Sequence, residues 1–561
     1  MPESLALPPG LVLILAGLLL PVVPLVARQT LLLFAPTVAL LLVWLVPEGP
    51  GLSLSFLGYE LVLTEADALS RLFGTVFAIM AFGGGLYAFN QANVAELAAA
   101  FFYAGTALGV VFAGDLVTVF IFWELMAIGS TLVVWSAGGR ALAAGMRYAA
   151  IHLLGGVLLM AGVAGHVAAT GSTDFVAMAT DSPAHWLILA GFLVNAAAPP
   201  LSAWLPDAYP EASYSGTVFL SAFTTKTAVY VLLRGFPGAE VLILLGLIMV
   251  FYGIIYGILE NDIRRILSYS LVNQVGFMVT AIGIGTPLAL NGAAAHAFTH
   301  IIYKALLLMA AGSVIAMTGK RLCSELGGLH RTMPLTAVTG IIGGLSISAV
   351  PLTSGFVSKA MIADGAAEAD MLVVWLLVTA AAVGVFIDIG LKWPWYIFFA
   401  KDRGLASADP PVPMKAAMVL FAAICIGIGI FPGTLYALLP FPVDYVPYTA
   451  AHVVTTLQLL AFGGVAFFLL LPYLKRTETI NLDTDWLWRV PGRALARDFS
   501  DRSATAWDRL ADRTRRSASA LLKTIYRHHG PAGILARTWP TGSMAFWATF
   551  LLAAYLVLYY F

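Results

Sequence analysis

Apolar runs of about twenty residues follow one another along this 561-residue chain, and no other feature constrains its fold as much. A helix needs ~20 apolar residues to cross the hydrocarbon of a bilayer. Backbone polar groups find no water there, so each run must satisfy its own hydrogen bonds by coiling. Runs near 10–27, 29–46, 67–89 and 95–113 open the series, and 414–432, 450–473 and 543–561 close it. The expectation is an all-α polytopic membrane protein with about sixteen transmembrane helices. Hydrophobic residues make up 60% of the chain and charged ones 11%, whereas a soluble domain carries roughly a quarter charged. Soluble enzymes, nucleic-acid binders and disordered chains are therefore poor fits. Lys plus Arg number 30, as do Asp plus Glu, so net charge points to no nucleic acid or other polyanion. Cys323 and Cys425 lie far apart and suggest neither a disulfide framework nor a metal site. Glu3 and no basic residue precede the first run, which reads as a spanning helix rather than a cleaved signal.

Six segments are expected: N-terminal transmembrane helices in 1–94, a first repeat in 95–236, a second in 237–400, further core helices in 401–473, a basic segment in 474–542 and a final transmembrane helix in 543–561. Basic residues in short loops set orientation. Arg28, Arg140, Arg147, Arg264, Arg265, Lys320, Arg321, Arg331, Lys401 and Arg403 fall on one side if the spans alternate. The opposite loops 47–66, 170–184 and 363–370 hold no Lys or Arg. The N-terminus is thus expected outside and 474–542 in the cytoplasm. That segment holds thirteen of the 30 basic residues, from Lys475 and Arg476 to Arg537. Leu495, Phe499, Ala506, Leu510, Leu521 and Ile525 recur at helical spacing. An amphipathic helix over 494–527, lying on the membrane surface or on a partner, is the reading; a solvated linker helix is the alternative.

An internal repeat is visible. His152–Gly162 reads HLLGGVLLMAG and His300–Gly312 reads HIIYKALLLMAAG, an offset of 148. Asp115 and Asp262 open matching spans 147 apart, and Pro200 and Pro351 interrupt matching runs 151 apart. The unit holds five helices, and an odd count makes its two copies run in opposite directions. Inverted repeats with broken helices are a transporter architecture with ion sites near the midplane.

Charged residues inside the spans need an explanation, since each costs on the order of 2.5–3.5 kcal/mol at the bilayer centre. Glu124 lies within FIFWELMAIG and Lys226 within SAFTTKTAVYVLL. His296, His300 and Lys304 stand four apart, which puts them near one face of one helix. Lys359 follows a broken helix in PLTSGFVSK. Asp388 and Lys392, also four apart, form either a local ion pair or part of the same series. Desolvation brings the charged and neutral forms of such groups close in energy, so a row of them can pass protons. Two histidines at i, i+4 also suit zinc, but no cysteine is near and Lys304 would repel a cation.

GDLVTVFIFWELM, WLPDAYPEAS, NDIRRILSYSLVNQVGF, HAFTHIIYKALLLMAAGSV and PLTSGFVSK resemble, in order, the antiporter-like subunits shared by Mrp-type sodium/proton antiporters and respiratory complex I. The resemblance covers about residues 60–435, and GLKWPWYIFFAKDRG is most similar to the D-type member of the Mrp antiporters. It implies two inverted five-helix repeats and a polar axis along the membrane centre. By motif, Glu124 matches the family's fifth-helix glutamate, Lys226 the eighth-helix lysine, His300 and Lys304 the eleventh-helix pair, and Lys359 the twelfth-helix lysine. One motif departs. Where the family has a seventh-helix lysine and, after the break, a histidine, this chain has Asn195 and Ser202. Asparagine does not titrate, so the glutamate–lysine couple of the first repeat is missing, and His152 is the nearby titratable substitute.

The resemblance implies an ion-translocating subunit of a multi-subunit antiporter, working with other subunits and membrane lipid in a bacterial cell membrane and moving protons, with sodium as the expected counter-ion. A membrane arm of a complex I-like, hydrogenase or inorganic-carbon uptake complex is the alternative, and a scaffold with reduced transport, because of Asn195, is a third. The chain has no nucleotide, flavin, haem or cluster motif, so no cofactor of its own is expected.

Overall fold

The computed structural model describes residues 7–56, 58–91, 93–474, 483–531 and 533–561; Glu3, Lys475 and Arg476 lie outside them. It divides into two compact units, 1–485 and 486–561. In the first unit α1 (Pro9–Leu19), α2 (Leu25–Leu45) and α3 (Ala68–Tyr87) precede five helical passes. These are α4 (Val94–Phe112), α5 (Leu116–Trp135), α6 (Arg140–Thr170), the broken pair α7 (Pro183–Asn195) and α8 (Trp204–Ala208), and the broken pair α9 (Gly216–Leu220) and α10 (Thr224–Gly235). Five more follow: α11 (Val241–Leu259), α12 (Ile263–Ile284), α13 (Pro287–Thr318), the broken pair α14 (Pro334–Ile347) and α15 (Ser354–Glu368), and α16 (Leu372–Val385), which continues as π-helical turns to Phe399. Then come α17 (Val412–Ile430), the short α18 (Gly433–Tyr436) and α19 (Ala450–Leu470). The second unit holds α20 (Arg493–His529) and α21 (Thr541–Tyr560).

Among the described residues thirteen helices are long and apolar enough to cross a membrane, and three shorter apolar ones, Pro9–Leu19, Pro183–Asn195 and Pro334–Ile347, complete the sixteen expected. Two details differ. The first run, expected over 10–27, ends as helix at Leu19, because Pro21 and Pro24 cannot continue it. Two short antiparallel ribbons, β1 (Gly49–Pro50) with β4 (Glu65–Ala66) and β2 (Ser53–Phe56) with β3 (Tyr59–Val62), fill a loop whose strands are too short to show as apolar runs.

Matching caps begin α5 and α12. Asp115 accepts from the backbone N–H groups of Val117 and Thr118, and Asp262 from those of Arg264 and Arg265. Each aspartate also bridges to the segment beyond the following helix, Asp115 to Asp174 and Asp262 to Leu322. Three of the four described non-glycine residues with positive φ, Ala197, Ala349 and Leu352, sit at the breaks α7/α8 and α14/α15. There the chain turns out of helix and leaves carbonyls without their usual donors. α11 and α12 pack without side-chain spacers: a Cβ on Gly253 or Gly276 would collide with the facing backbone. The core lies around α9/α10 and α12, whose apolar windows are wholly buried, while Leu18, Val22, Leu372 and Val373 expose apolar surface suited to lipid.

Candidate functional site

Lys226, His296, His300 and Lys304 are 0% exposed and Lys359 is 5% exposed, so all five lie inside the protein rather than against lipid. Three lysines share one device. Lys226 Nζ donates to the carbonyl of Ser221, 2.7 Å away in the α9/α10 break, and to Thr225 Oγ1 at 3.1 Å. Lys359 Nζ donates at 2.6 Å to the carbonyl of Ile347, the last residue of α14, and lies 4.8 Å from the centre of the Phe277 ring. Lys392 Nζ donates to the carbonyls of Gly257 and Ile258 near the end of α11 and pairs with Asp388 at 2.5 Å. A helix end presents free carbonyls and a partial negative charge, which makes it the natural seat for a buried ammonium. Gly257 is required beside this pair, because a Cβ there would overlap the Asp388 carboxylate.

On α13 the three groups read from spacing reach different neighbours. Lys304 Nζ donates to Ser270 Oγ at 2.9 Å and to the Leu267 carbonyl at 3.2 Å, both on α12. His296 contacts Ser358 Oγ through Nδ1 at 3.0 Å and Gln274 Oε1 through Nε2 at 3.1 Å. With both ring nitrogens held by protein, His296 is not arranged as half of a zinc pair. His300, 6.1 Å from it between ring centroids, has no hydrogen-bond partner at either nitrogen among the described residues. Lys226, Lys304, His296 and Lys359 all act on it electrostatically.

The ionisable groups of α5 and α6 are arranged otherwise. Glu124 is half-buried and faces α6, where a Cβ on Gly156 would overlap its carboxylate. It borders an apolar cavity of about 420 Å³ with Thr131, Trp135, Met146 and Leu153, and forms no ion pair among the described residues. Asn195 is wholly buried, and among the described residues neither its amide atoms nor Ser202 Oγ have a hydrogen-bond partner. His152 Nδ1 contacts the Tyr148 carbonyl at 2.9 Å; its ring stacks on Tyr148 and meets Trp204 edge-on at 4.6 Å. Residue spacing gave no sign of the hydroxyl groups that lead away from this ring. Tyr148 donates to Ser130 at 2.9 Å and lies 3.4 Å from Thr224 Oγ1, which is 2.6 Å from the Tyr103 hydroxyl. Thr224, in the middle of this hydroxyl chain, stands two residues before Lys226.

A second feature escaped sequence reading. Lys359 opens on a cavity of about 370 Å³ also lined by Asp364, Thr379, His452, Thr455 and Thr456. His452 stacks on Phe356 at 4.7 Å, and the Tyr445 hydroxyl donates to Asp364 at 2.5 Å. The signal was available: Thr449, His452, Thr455 and Thr456 interrupt an apolar run.

The same arrangement of helices and motifs occurs in known proteins. A family model described as NADH:quinone oxidoreductase/Mrp antiporter, transmembrane, matches residues 113–384. NADH-quinone oxidoreductase subunit N of Desulforudis audaxviator is 31% identical over 356 residues, covering 58% of this chain and 70% of that protein. The D-type Na(+)/H(+) antiporter subunit of Alkalihalophilus pseudofirmus is 31% identical over 280 residues, covering 46% of this chain and 57% of that one. The chain spans only 36–56% of the length of three other curated relatives. In fold it is similar to a chain of the Mrp complex from Dietzia sp. DQ12-45-1b, with a TM-score of 0.77 at 22% identity over 92% of this chain and 62% of that one. Ordered motifs, broken helices and these likenesses agree: the chain is a multi-pass membrane protein that belongs to the NADH:quinone oxidoreductase/Mrp antiporter family.

Proposed function

We propose that this protein is an ion-translocating subunit of a multi-subunit, Mrp-type cation/proton antiporter, with sodium as the exchanged cation. Protons move along Lys226, His300, Lys304 and Lys359, with His296 and the Asp388–Lys392 pair beside the path. Glu124 and His152 are the titratable groups of the first repeat and stand off this path, since Asn195 and Ser202 replace the titratable groups that would join them to it. The observation that carries this reading is His300: a wholly buried imidazole with no hydrogen-bond partner among the described residues, one turn from Lys304 on the same helix. An imidazole carries a proton on either nitrogen and exchanges it readily, which suits a relay between ammonium groups that repel one another. The complex sits in a bacterial cell membrane among lipid and partner subunits, with the N-terminus outside and 474–542 in the cytoplasm. Segments 95–236 and 237–400 act as the two repeats.

The test is sodium-driven proton flux in vesicles holding the whole complex. Lys304→Ala and Lys359→Ala should each abolish it while the complex assembles in normal amounts. Normal flux through Lys359→Ala would sink the proposed axis. A second reading, the membrane arm of a redox complex, is favoured by the likeness to an NADH-quinone oxidoreductase subunit. Co-purification separates the two: cofactor-bearing subunits support the redox arm, small membrane subunits the antiporter.

A further inference from the structure

Between α6 and α7, away from the buried lysines, two histidines meet. His166 Nδ1 and His185 Nε2 are 3.0 Å apart, with ring centroids 5.2 Å apart. The other nitrogen of His185 faces acceptors alone, the Ala179 carbonyl at 2.7 Å and Asp181 Oδ1 at 3.0 Å. Nδ1 of His185 therefore carries the proton, and Nε2 turns its lone pair toward His166. A carboxylate or carbonyl behind one nitrogen is the arrangement that orients a metal-ligating histidine and fixes its tautomer. Two imidazole nitrogens on one metal, each bonded at ~2.0–2.1 Å, stand about 3.0–3.4 Å apart; the ion would take the place of the proton that His166 Nδ1 donates to His185 Nε2, with that proton released to solvent and His166 carrying one on Nε2.

The surroundings favour a cation. The connecting segment 171–182 carries Asp174 and Asp181 and no Lys or Arg, and Asp174 acts electrostatically on His166. Asp181 is 70% exposed, which gives the site a route to solvent, whereas His166 is 8% exposed and held in place. Small residues set the spacing: a Cβ on Gly165 would press on Ala184 at 3.1 Å, so α6 and α7 approach closely enough for the rings to cross the gap. We propose that His166 and His185 form a binding site for a borderline divalent transition metal, of the class of Zn²⁺ and Cu²⁺, with solvent completing the coordination. Such an ion ties the end of α6 to the first half of the broken helix that terminates at Asn195. This inference stands apart from the transport reading.

The test uses the full-length protein, purified with whatever subunits accompany it. CuCl₂ is titrated and followed by electron paramagnetic resonance, and ZnCl₂ by calorimetry, on the wild type and on a double His166→Gln, His185→Gln variant. Other histidines, such as His528 and His529, are common to both samples, so the difference isolates this site. The expected difference is one Cu²⁺ per chain, with two equatorial nitrogen couplings, and one Zn²⁺. Asp181→Asn keeps both ligands but removes the carboxylate behind His185, and should weaken Zn²⁺ binding roughly tenfold. Equal metal uptake by wild type and double variant, or a difference signal with a single nitrogen, would overturn the proposal. Where the histidine variants fail to assemble, Asp181→Asn decides: unchanged affinity overturns the site.

Discussion

Glu124 shows how a single residue can match a motif and still stand apart from its companions. Its carboxylate rests on Gly156 at the α5/α6 surface, whereas Lys226, His300 and Lys304 form a buried group. Glu124→Gln should therefore retain at least half of wild-type flux, measured in the same vesicles as Lys359→Ala; a loss as complete as that variant's would place Glu124 on the path. Gly156→Ala should do more harm, because the added methyl displaces the carboxylate and separates α5 from α6. Overpacking of this kind costs about 1–3 kcal/mol, readable as a lower melting temperature in detergent. The identity of the buried ionisable groups was legible in the sequence, since a charge within an apolar run is conspicuous. Their partners were not. Ser221, Ile347 and Gly257 offer backbone carbonyls, and every residue type has one, so nothing in the sequence marks them. His452 comes to Lys359 and Asp364 from a separate element, α19, and only folding brings it to their cavity.

At the scale of elements, apolar run length revealed nearly every helix, because lipid admits few other structures. What it missed has physical causes. α15 carries Lys359, Asp364 and Glu368, which dilute its apolar character, and the ribbons of 49–66 have strands of two to four residues. The caps at Asp115 and Asp262 were visible as paired motifs, but their reach was not. Asp115 also accepts from the Val62 N–H at 2.8 Å and from Thr118 Oγ1 at 2.6 Å, fastening α5 to a ribbon strand. Asp262 also pairs with Arg321. Asp115→Ala removes the cap and leaves buried N–H groups unpaired, at a cost on the order of 2 kcal/mol. Asp262→Ala should cost at least as much, because it also frees Arg321. Thermal unfolding in detergent checks both, and melting temperatures unchanged from wild type would mean that these carboxylates do not hold the helix starts.

Across the whole molecule, charges are few and concentrated. Glu211 pairs with Arg140 at 3.4 Å and Arg321 at 3.3 Å, joining the start of α6 to the segment after α13. The larger concentration is in α20, whose 37 residues include nine Lys or Arg against four Asp. At 1.5 Å per residue such a helix is about 55 Å long. Leu495, Phe499, Trp507, Leu510 and Leu521 are each more than half exposed. Exposed apolar side chains on so basic a helix call for a covering surface, either a partner's groove or an anionic leaflet that each nearby cation favours by about 1 kcal/mol. The stripe is interrupted by Ser503 and Thr514, which suits a protein groove better than deep insertion into lipid. Unit 1–485 has its own core and should fold without the rest. Deleting residues 486–561 should therefore leave the melting temperature of the remaining chain within a few degrees of the full protein's, while the yield of co-purifying subunits falls several-fold. A full complement of subunits on the truncated chain would rule out bracing and leave α20 as a membrane-surface helix. Changing Arg509, Arg513 and Arg516 to Gln together separates the two surfaces further: loss of binding to anionic vesicles with subunits retained indicates lipid, and the reverse indicates a partner.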